Sequence, residues 1–172
     1  MNITLILSEE HQNILKVIDG VLKECNEIER GKDLDKGYFA EVIDFIKNYA
    51  DGYHHAKEED ILFKAMLENV ENLHCNPIPV MLHEHDEGRQ YIKNLEEGIA
   101  NSDKEQILTN AKGYCFLLQN HIYKEDNVLY PMAEEALSEA QKELIQAKYK
   151  QVKDELFSAR DIQKYIDLVS AK

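Results

Sequence analysis

Six ionisable residues stand where the apolar stripes of four predicted helices should continue, and their types are those of a metal site. Each lies three or four places from an apolar residue, which puts its side chain on the inward face of its helix. Burying six such groups in one core would be very costly without compensating charge. The six residues are His11, His54, Glu58, His85, His121 and Glu125. We therefore expect them to surround metal cations.

An internal repeat carries most of these residues. The segment HHAKEEDILF (54–63) aligns with HIYKEDNVLY (121–130), with His, Lys, Glu and Leu recurring identically. A weaker match joins Glu10-His11 to Glu84-His85. In both copies the His and the Glu are four residues apart, so they share one helix face. The repeat predicts two helical hairpins of one design, related by an approximate two-fold axis.

Four imidazoles and two carboxylates form a donor set for two metal ions. If the two-fold axis divides this donor set equally, each ion receives about two His and shares two bridging carboxylates. An oxo or hydroxo bridge would complete the pair and leave one position open for a small ligand. Imidazole-rich shells suit Fe, Zn, Cu or Ni, whereas Mg and Ca prefer oxygen. Because structural zinc favours a closed tetrahedron, we expect two iron ions, ahead of manganese or zinc.

Long helices must position these residues, since only 7 Gly and 3 Pro occur in 172 residues. Ser8 is the expected N-cap of the first helix, and the others should begin near Asp35–Gly37, Pro79 and Asp103. The fourth helix should end near Ala136 with Val128 facing inward. At 1.5 Å rise per residue, the six polar residues fall at about one level. Short loops then predict an all-α, antiparallel up-down-up-down four-helix bundle over residues 1–136.

A C-terminal helical extension is expected over residues 137–172, packed on the bundle or on a partner. Ser138 and Gln141 form a capping-box signature at its start. Its predicted apolar face comprises Leu144, Val152, Leu156, Ile162, Ile166 and Val169. The tail could also drive self-association, so a homodimer is a candidate assembly.

Composition narrows the classes of partner. The formal net charge of −13 argues against nucleic acid and anionic membranes, because phosphate contacts need clustered Lys and Arg. No apolar run approaches the roughly 18 residues of a membrane span, and the first residues lack a signal-peptide pattern. Three widely spaced Cys predict no disulfide scaffold. We therefore expect a soluble, cytoplasmic domain whose partner is a small molecule.

Several residues near the predicted ligands receive other interpretations. His55 and Glu59 form a pair that points about 100° away from the ligands, so we interpret them as surface residues or as supports behind the site. His83 should be solvated on another face, and His74 should lie in a loop. Lys57 and Lys124 are expected to neutralise carboxylates on the helix surface. Gly88 either leaves room for a small ligand or is simply tolerated. The tyrosines expected mainly in the core are Tyr53, Tyr114 and Tyr123.

The segments HHAKEEDILF, MLHEHDEG and HIYKEDNVLYP resemble the hemerythrin-like HHE cation-binding domains over about residues 8–136. The resemblance implies a four-helix bundle with a non-haem di-iron centre and assigns the ligand role to the six residues above. The oxygen-carrying branch has a further His four residues after the one on helix three, where this chain has Arg89. That branch also has Asp at the fifth place after the last His. Asp126 occupies this place, so Glu125 and Asp126 both remain candidates, and the repeat favours Glu125.

The four-His, two-Glu set is more similar to the branch linked to iron–sulfur cluster repair and to nitric oxide or peroxide stress than to the oxygen carriers. The resemblance therefore implies binding of, or reaction with, oxygen, nitric oxide or hydrogen peroxide. The alternatives are an oxygen or redox sensor, an oxygen- or iron-binding protein without turnover, and a scaffold around a structural metal.

Overall fold

The computed structural model describes residues 2–156 together with residues 163 and 167, and only the backbone of residues 153–156. The described part of the chain is mostly helical and contains no β-strand, which confirms the predicted all-α class. None of its helices is both long and apolar enough to cross a membrane. The five long helical segments are α1 (Leu5–Glu29), α2 (36–67), α3 (Ile78–Asn101), α4 (104–136) and α5 (Glu139–Leu156).

Side-chain caps define most of the helix starts. Asp35 accepts a hydrogen bond from Tyr38 N at 3.1 Å, and Asp103 accepts one from Gln106 N at 3.0 Å. The predicted capping box at the start of α5 is also confirmed, because Gln141 Oε1 accepts from Ser138 N at 2.9 Å. These caps satisfy backbone N–H groups that have no partner within the helix.

The predicted start of α1 at Ser8 is wrong. The helix begins at Leu5, whose N–H donates to Asn2 Oδ1 at 2.9 Å. Glu134, at the end of α4, accepts from the Ile3 and Thr4 amides at 2.7 and 3.0 Å. The first backbone amides are therefore satisfied by Asn2 and by α4, and the Ser8 side chain does not cap the helix.

The two helices that contain the aligned repeat segments, α2 and α4, change pitch there. In α2 the α-helical stretches Lys36–Phe45 and Phe63–Leu67 flank π-helical segments at Ile46–His55 and Glu58–Leu62. In α4 the segment Glu125–Leu129 is π-helical, at the position aligned with Glu58–Leu62. Hydrogen bonds from i to i+5 widen the turn, and such segments occur frequently at functional sites. The segment Ile46–His55 has no π-helical counterpart in α4.

The apolar core consists of two clusters with a polar layer between them. The first cluster includes Ile14, Ile18, Val42, Tyr49, Leu95, Ala111 and Leu118. The second cluster includes Leu7, Leu62, Met66, Met81, Leu129 and Ala133. Along the chain, α1 and α3 run from the second cluster to the first, whereas α2 and α4 run from the first to the second. On each of these four helices, the predicted ligands lie between the two clusters.

Two apolar residues lie on a different side of their helix from the side that was predicted. Val128 is 46% exposed although it was expected inward, because the π-helical turn of α4 shifts the face that follows Glu125. Leu144 is 65% exposed, and Ile145 and Tyr149 are the residues through which α5 joins the second cluster. The segment α5 lies against the π-helical part of α2. The predicted face residues Ile162, Ile166 and Val169 lie outside the described residues.

Candidate metal centre

The structure brings all six predicted ligands into the layer between the clusters, where each is buried. Their donor atoms form two groups, within each of which every donor lies within 4.8 Å of the others. The first group comprises His11, His54, Glu58 and Glu125. The second group comprises His55, Glu58, His85 and His121. Glu58 belongs to both groups, as a carboxylate that bridges two ions would.

A carboxylate faces the outer ring nitrogen of each predicted histidine ligand. The Nδ1 atoms of His11 and His54 lie 3.0 Å from Asp126 and Glu10, respectively. The Nδ1 atom of His85 lies 2.7 Å from Glu59, and that of His121 lies 2.8 Å from Glu84. An ionised carboxylate only accepts, so each Nδ1 donates, and in the neutral imidazole each Nε2 presents a lone pair inward. This carboxylate–histidine arrangement is typical of metal ligands.

The supporting carboxylates follow the internal repeat. Glu10 binds His54 and Lys57, and the repeat-related Glu84 binds His121 and Lys124. Asp126 and Glu59, aligned with each other in the repeat, hold His11 and His85. The two-fold relation therefore extends beyond the predicted ligands to the residues that orient them. Asp126 lies on the outer side of His11, also accepts from the Ser8 hydroxyl at 2.7 Å, and is absent from both donor groups.

The two repeated lysines differ in burial. Lys57 is fully buried, which contradicts the expected surface role, and its ammonium lies 3.7 Å above the centre of the Tyr53 ring. Lys124 is 38% exposed. The pair of Lys57 and Glu10 is therefore part of the core, whereas the pair of Lys124 and Glu84 reaches solvent.

The spacing of the inner atoms fits ligands on shared cations. The Nε2 atoms of His85 and His121 are 2.9 Å apart. Two lone pairs at this distance repel each other unless a proton or a cation lies between them. Adjacent ligands of an ion with bond lengths near 2.1 Å are about 3 Å apart, and opposite ligands about 4.2 Å. Glu58 Oε2 lies 3.6 Å from His54 Nε2 and 3.7 Å from His85 Nε2, within that interval.

Several inner atoms also have no hydrogen bond among the described residues. They are His54 Nε2, Glu58 Oε2 and both carboxylate oxygens of Glu125. The Glu125 oxygens do approach His121 Nε2 at 3.1 Å and His11 Nε2 at 3.3 Å, but without hydrogen-bond geometry. Buried polar atoms are normally satisfied. Metal coordination would satisfy all four, so the residues present fit a pair of cations.

In the absence of metal, the pKa values of these side chains are shifted in different directions. Burial, followed by repulsion from Glu125, raises the pKa of Glu58 well above its usual value. Burial lowers the pKa of His54 well below its usual value, and charge on His11 and His55 lowers it further. Burial also disfavours the charged form of His11, but the hydrogen bond to Asp126 and the nearby charge of Glu125 outweigh it and raise the pKa of His11 to about 9. Shared cations would replace these competing protons.

One side of the layer is closed by a tyrosine that has no tyrosine counterpart in the repeat. The Tyr130 hydroxyl donates to Glu58 Oε1 at 2.6 Å and lies 3.3 Å from His11 Nε2. Its ring is stacked on that of His11, with centroids 5.4 Å apart. The repeat-related Phe63 stacks on His85 instead and has no hydroxyl. The two halves of the layer are therefore chemically different.

The other side of the layer opens into a cavity of about 180 Å³. His55, His85 and His121 form its inner end, and Gly88 and Tyr114 are part of its wall. A methyl group added at Gly88 would meet the Tyr114 ring at 3.4 Å. This distance is an ordinary van der Waals contact, so the structure is compatible with both interpretations of this glycine.

Two residues of this layer, His55 and Tyr130, were not predicted to lie in it, whereas other residues lie where they were expected. His83 and His74 are exposed, as predicted, whereas Tyr123 is 68% exposed and not part of the core. His55 is buried, which excludes the surface interpretation. The signal for His55 was its repeat partner Ile122, since an apolar residue at the aligned position indicates an inward face. No comparable signal marked Tyr130.

One of the comparisons with known proteins gives a match. The family model described as the hemerythrin HHE cation binding domain matches residues 2–133. Neither the curated proteins nor the solved structures contain a significant match to the chain. The matched range includes all of the donor residues and ends before α5.

Proposed function

Because the chain belongs to the hemerythrin HHE cation-binding domain family, we propose that the buried layer holds two iron ions that bind or react with a small ligand. The proposed ligands are His11, His54, Glu58, His85, His121 and Glu125. The observation that carries the proposal is the orientation of the four imidazoles, each with Nδ1 on a carboxylate and Nε2 directed into the layer.

The proposed architecture is the up-down-up-down bundle, supported by the alternating order in which α1 to α4 pass between the two apolar clusters. In this arrangement each hairpin supplies two His and one Glu. Glu58 and Glu125 hold the two ions together, and the outer carboxylates fix the tautomers of the imidazoles. A pair of iron ions is favoured over a single structural zinc ion because the layer contains more donors than one tetrahedral ion uses.

When bound, the ions would supply an open coordination position and electrons for exchange with a small ligand. The chain's own residues decide where such a ligand arrives. Tyr130 covers the side of His11, while the cavity leads to the side of His85 and His121. The proposed ligands are oxygen, nitric oxide and hydrogen peroxide, and reaction with them would place the protein in the response to oxidative or nitrosative stress.

Metal analysis together with an absorption spectrum tests the metal centre. We expect about two irons per chain and the near-ultraviolet charge-transfer bands of an oxygen-bridged ferric pair. His85→Ala should lose iron, whereas His83→Ala, which changes an exposed histidine two residues away, should retain it. One tightly held zinc per chain, or full iron content in His85→Ala, would contradict the proposal.

Exposure of the reduced protein to each ligand separates the candidate activities. Rapid consumption of hydrogen peroxide or nitric oxide over many turnovers indicates an enzyme. A stable, reversible oxygen adduct indicates an oxygen-binding protein or a sensor, which is the alternative function. An iron-loaded protein that gives no spectral change with any of the three ligands would contradict both.

A further inference from the structure

His55 lies inside the polar layer although a regular α-helix would direct it away. Its ring is stacked on that of His85, with centroids 3.8 Å apart and planes inclined by 10°. The His121 ring centroid is 6.0 Å away. Together with Glu58, these three histidines form one of the two groups of converging donor atoms. The position of His55 is thus that of a donor to one of the two ions.

The outer nitrogen of His55 is held like those of the other buried histidines. His55 Nδ1 lies 3.3 Å from Asp51 Oδ1, one helical turn earlier. Asp51 is less than half exposed, and Arg89 donates to it at 2.8 Å. All five buried histidines of the described chain therefore have a carboxylate at Nδ1. A histidine that merely filled the core would not need this orientation.

Arg89 occupies the place of the missing fifth histidine and supports two of the carboxylates. It lies four residues after His85 and donates both to Asp51 and, at 2.7 Å, to Glu59. These carboxylates hold His55 and His85, respectively. The residue that replaces a donor on α3 is therefore coupled to a histidine on α2.

A π-helical segment, Ile46–His55, ends at the two consecutive histidines, and both are buried. Its i to i+5 hydrogen bonds widen the turn. The aligned residue of α4, Ile122, is also buried, but α4 is α-helical there. The extended π-helical segment is thus specific to the helix that carries the additional histidine.

We propose that His55 is a metal ligand and that, with His85 and His121, it gives one of the two ions three imidazoles. The other ion receives His11 and His54 only, so the two ions are inequivalent. This inference rests on the proposed two-metal centre and adds a donor from α2 that compensates for Arg89 on α3. The three-histidine ion lies at the inner end of the cavity.

Removal of His55 tests the contribution to metal affinity. In iron-loaded His55→Ala, one of the two irons should pass to a competing chelator about tenfold faster or more, while the other is released at the wild-type rate. His83→Ala is the matched control and should behave as the wild type. Far-ultraviolet circular dichroism of both variants checks that the helices are intact.

A second variant reports directly on coordination. In His55→Cys a thiolate bound to the metal should give a new, intense sulfur-to-metal charge-transfer band in the iron- or cobalt-loaded protein. The wild type supplies the background from Cys25, Cys75 and Cys115, and His83→Cys shows the effect of an added exposed thiol. The band decides the question even if His55→Ala does not fold.

The outcomes distinguish the two proposals. A new band in His55→Cys supports His55 as a ligand. Two irons in the wild type with no band in His55→Cys would overturn this inference and leave the proposed function intact. A wild type that does not bind two metal ions would overturn the proposed function itself.

Discussion

The hydroxyl of Tyr130 is one of the few chemical differences between the two repeat-related halves of the centre. We expect Tyr130→Phe to fold and to keep its metal, because Phe63 already occupies the equivalent position on the other side. Glu58 would lose a hydrogen bond of 2.6 Å, and hydrogen bonds to charged groups contribute about 1.5–3 kcal/mol. Iron should therefore leave about tenfold faster, as measured with a chelator. Tyr123→Phe, at an exposed site, is the control, and equal rates in both variants would contradict the expected role.

The carboxylates Glu10 and Glu84 have the same partners in the two repeats but different surroundings. Glu10→Gln leaves the buried ammonium of Lys57 without its carboxylate, and loss of one member of a buried ion pair costs about 3 kcal/mol or more. Glu84→Gln affects the partly exposed Lys124, and surface pairs contribute about 1 kcal/mol or less. Urea denaturation of the metal-free proteins should show the larger loss for Glu10→Gln. The reverse order would contradict the role assigned to burial.

At the level of helices, α3 and α4 leave a passage to the centre beside Gly88. We expect Gly88→Leu to retain both irons and to bind azide, a small anionic probe, several-fold more slowly, because the new side chain enters the cavity. The measurement is stopped-flow absorbance of the ferric protein. Ala100→Leu, at an exposed position of α3, should leave the rate unchanged. Unaltered binding in Gly88→Leu would show that the ligand reaches the centre by another route.

The positions of the helices could be predicted because caps and apolar spacing are local properties of the sequence. Asp35, Asp103 and the Ser138–Gln141 box mark helix starts by their own side chains. Ser8 failed as a predictor because the first turn of α1 is satisfied by Glu134, more than a hundred residues away. Such a cap depends on tertiary structure, which helical periodicity does not report.

A π-helical segment explains one of the remaining differences. The six predicted ligands were found because each lies in register with apolar residues, and the repeat reinforced the pattern. Val128 was assigned to the wrong face because the prediction assumed 3.6 residues per turn throughout, whereas α4 widens there. For His55, the aligned Ile122 is buried on a regular α-helix, and this signal of an inward face was not used. Lys57 was missed for another reason, since burial of a lysine depends on partners from other helices.

For the whole molecule, metal should contribute to stability as well as to chemistry. The metal-free layer contains opposing carboxylates and imidazoles, and binding to the folded state alone stabilises it by mass action. Free metal at about a thousand times its dissociation constant adds about 4 kcal/mol, which corresponds to roughly 8–16 °C in melting temperature for a chain of this size. Circular dichroism melts with and without chelator measure the difference. Identical melting temperatures would contradict a metal site within the core.

The separation of the apolar core into two clusters has a consequence for local opening. Each cluster draws on all four helices of the matched domain, and the layer with the histidines and carboxylates lies between them, while Val152 of α5 packs against both. Without metal, each cluster should act as its own cooperative unit, with distinct amide hydrogen-exchange rates around Val21 and around Met66. Metal should merge the two into a single unit that opens only by global unfolding. Hydrogen exchange followed by mass spectrometry would then show that the ions join the two clusters into one cooperative unit.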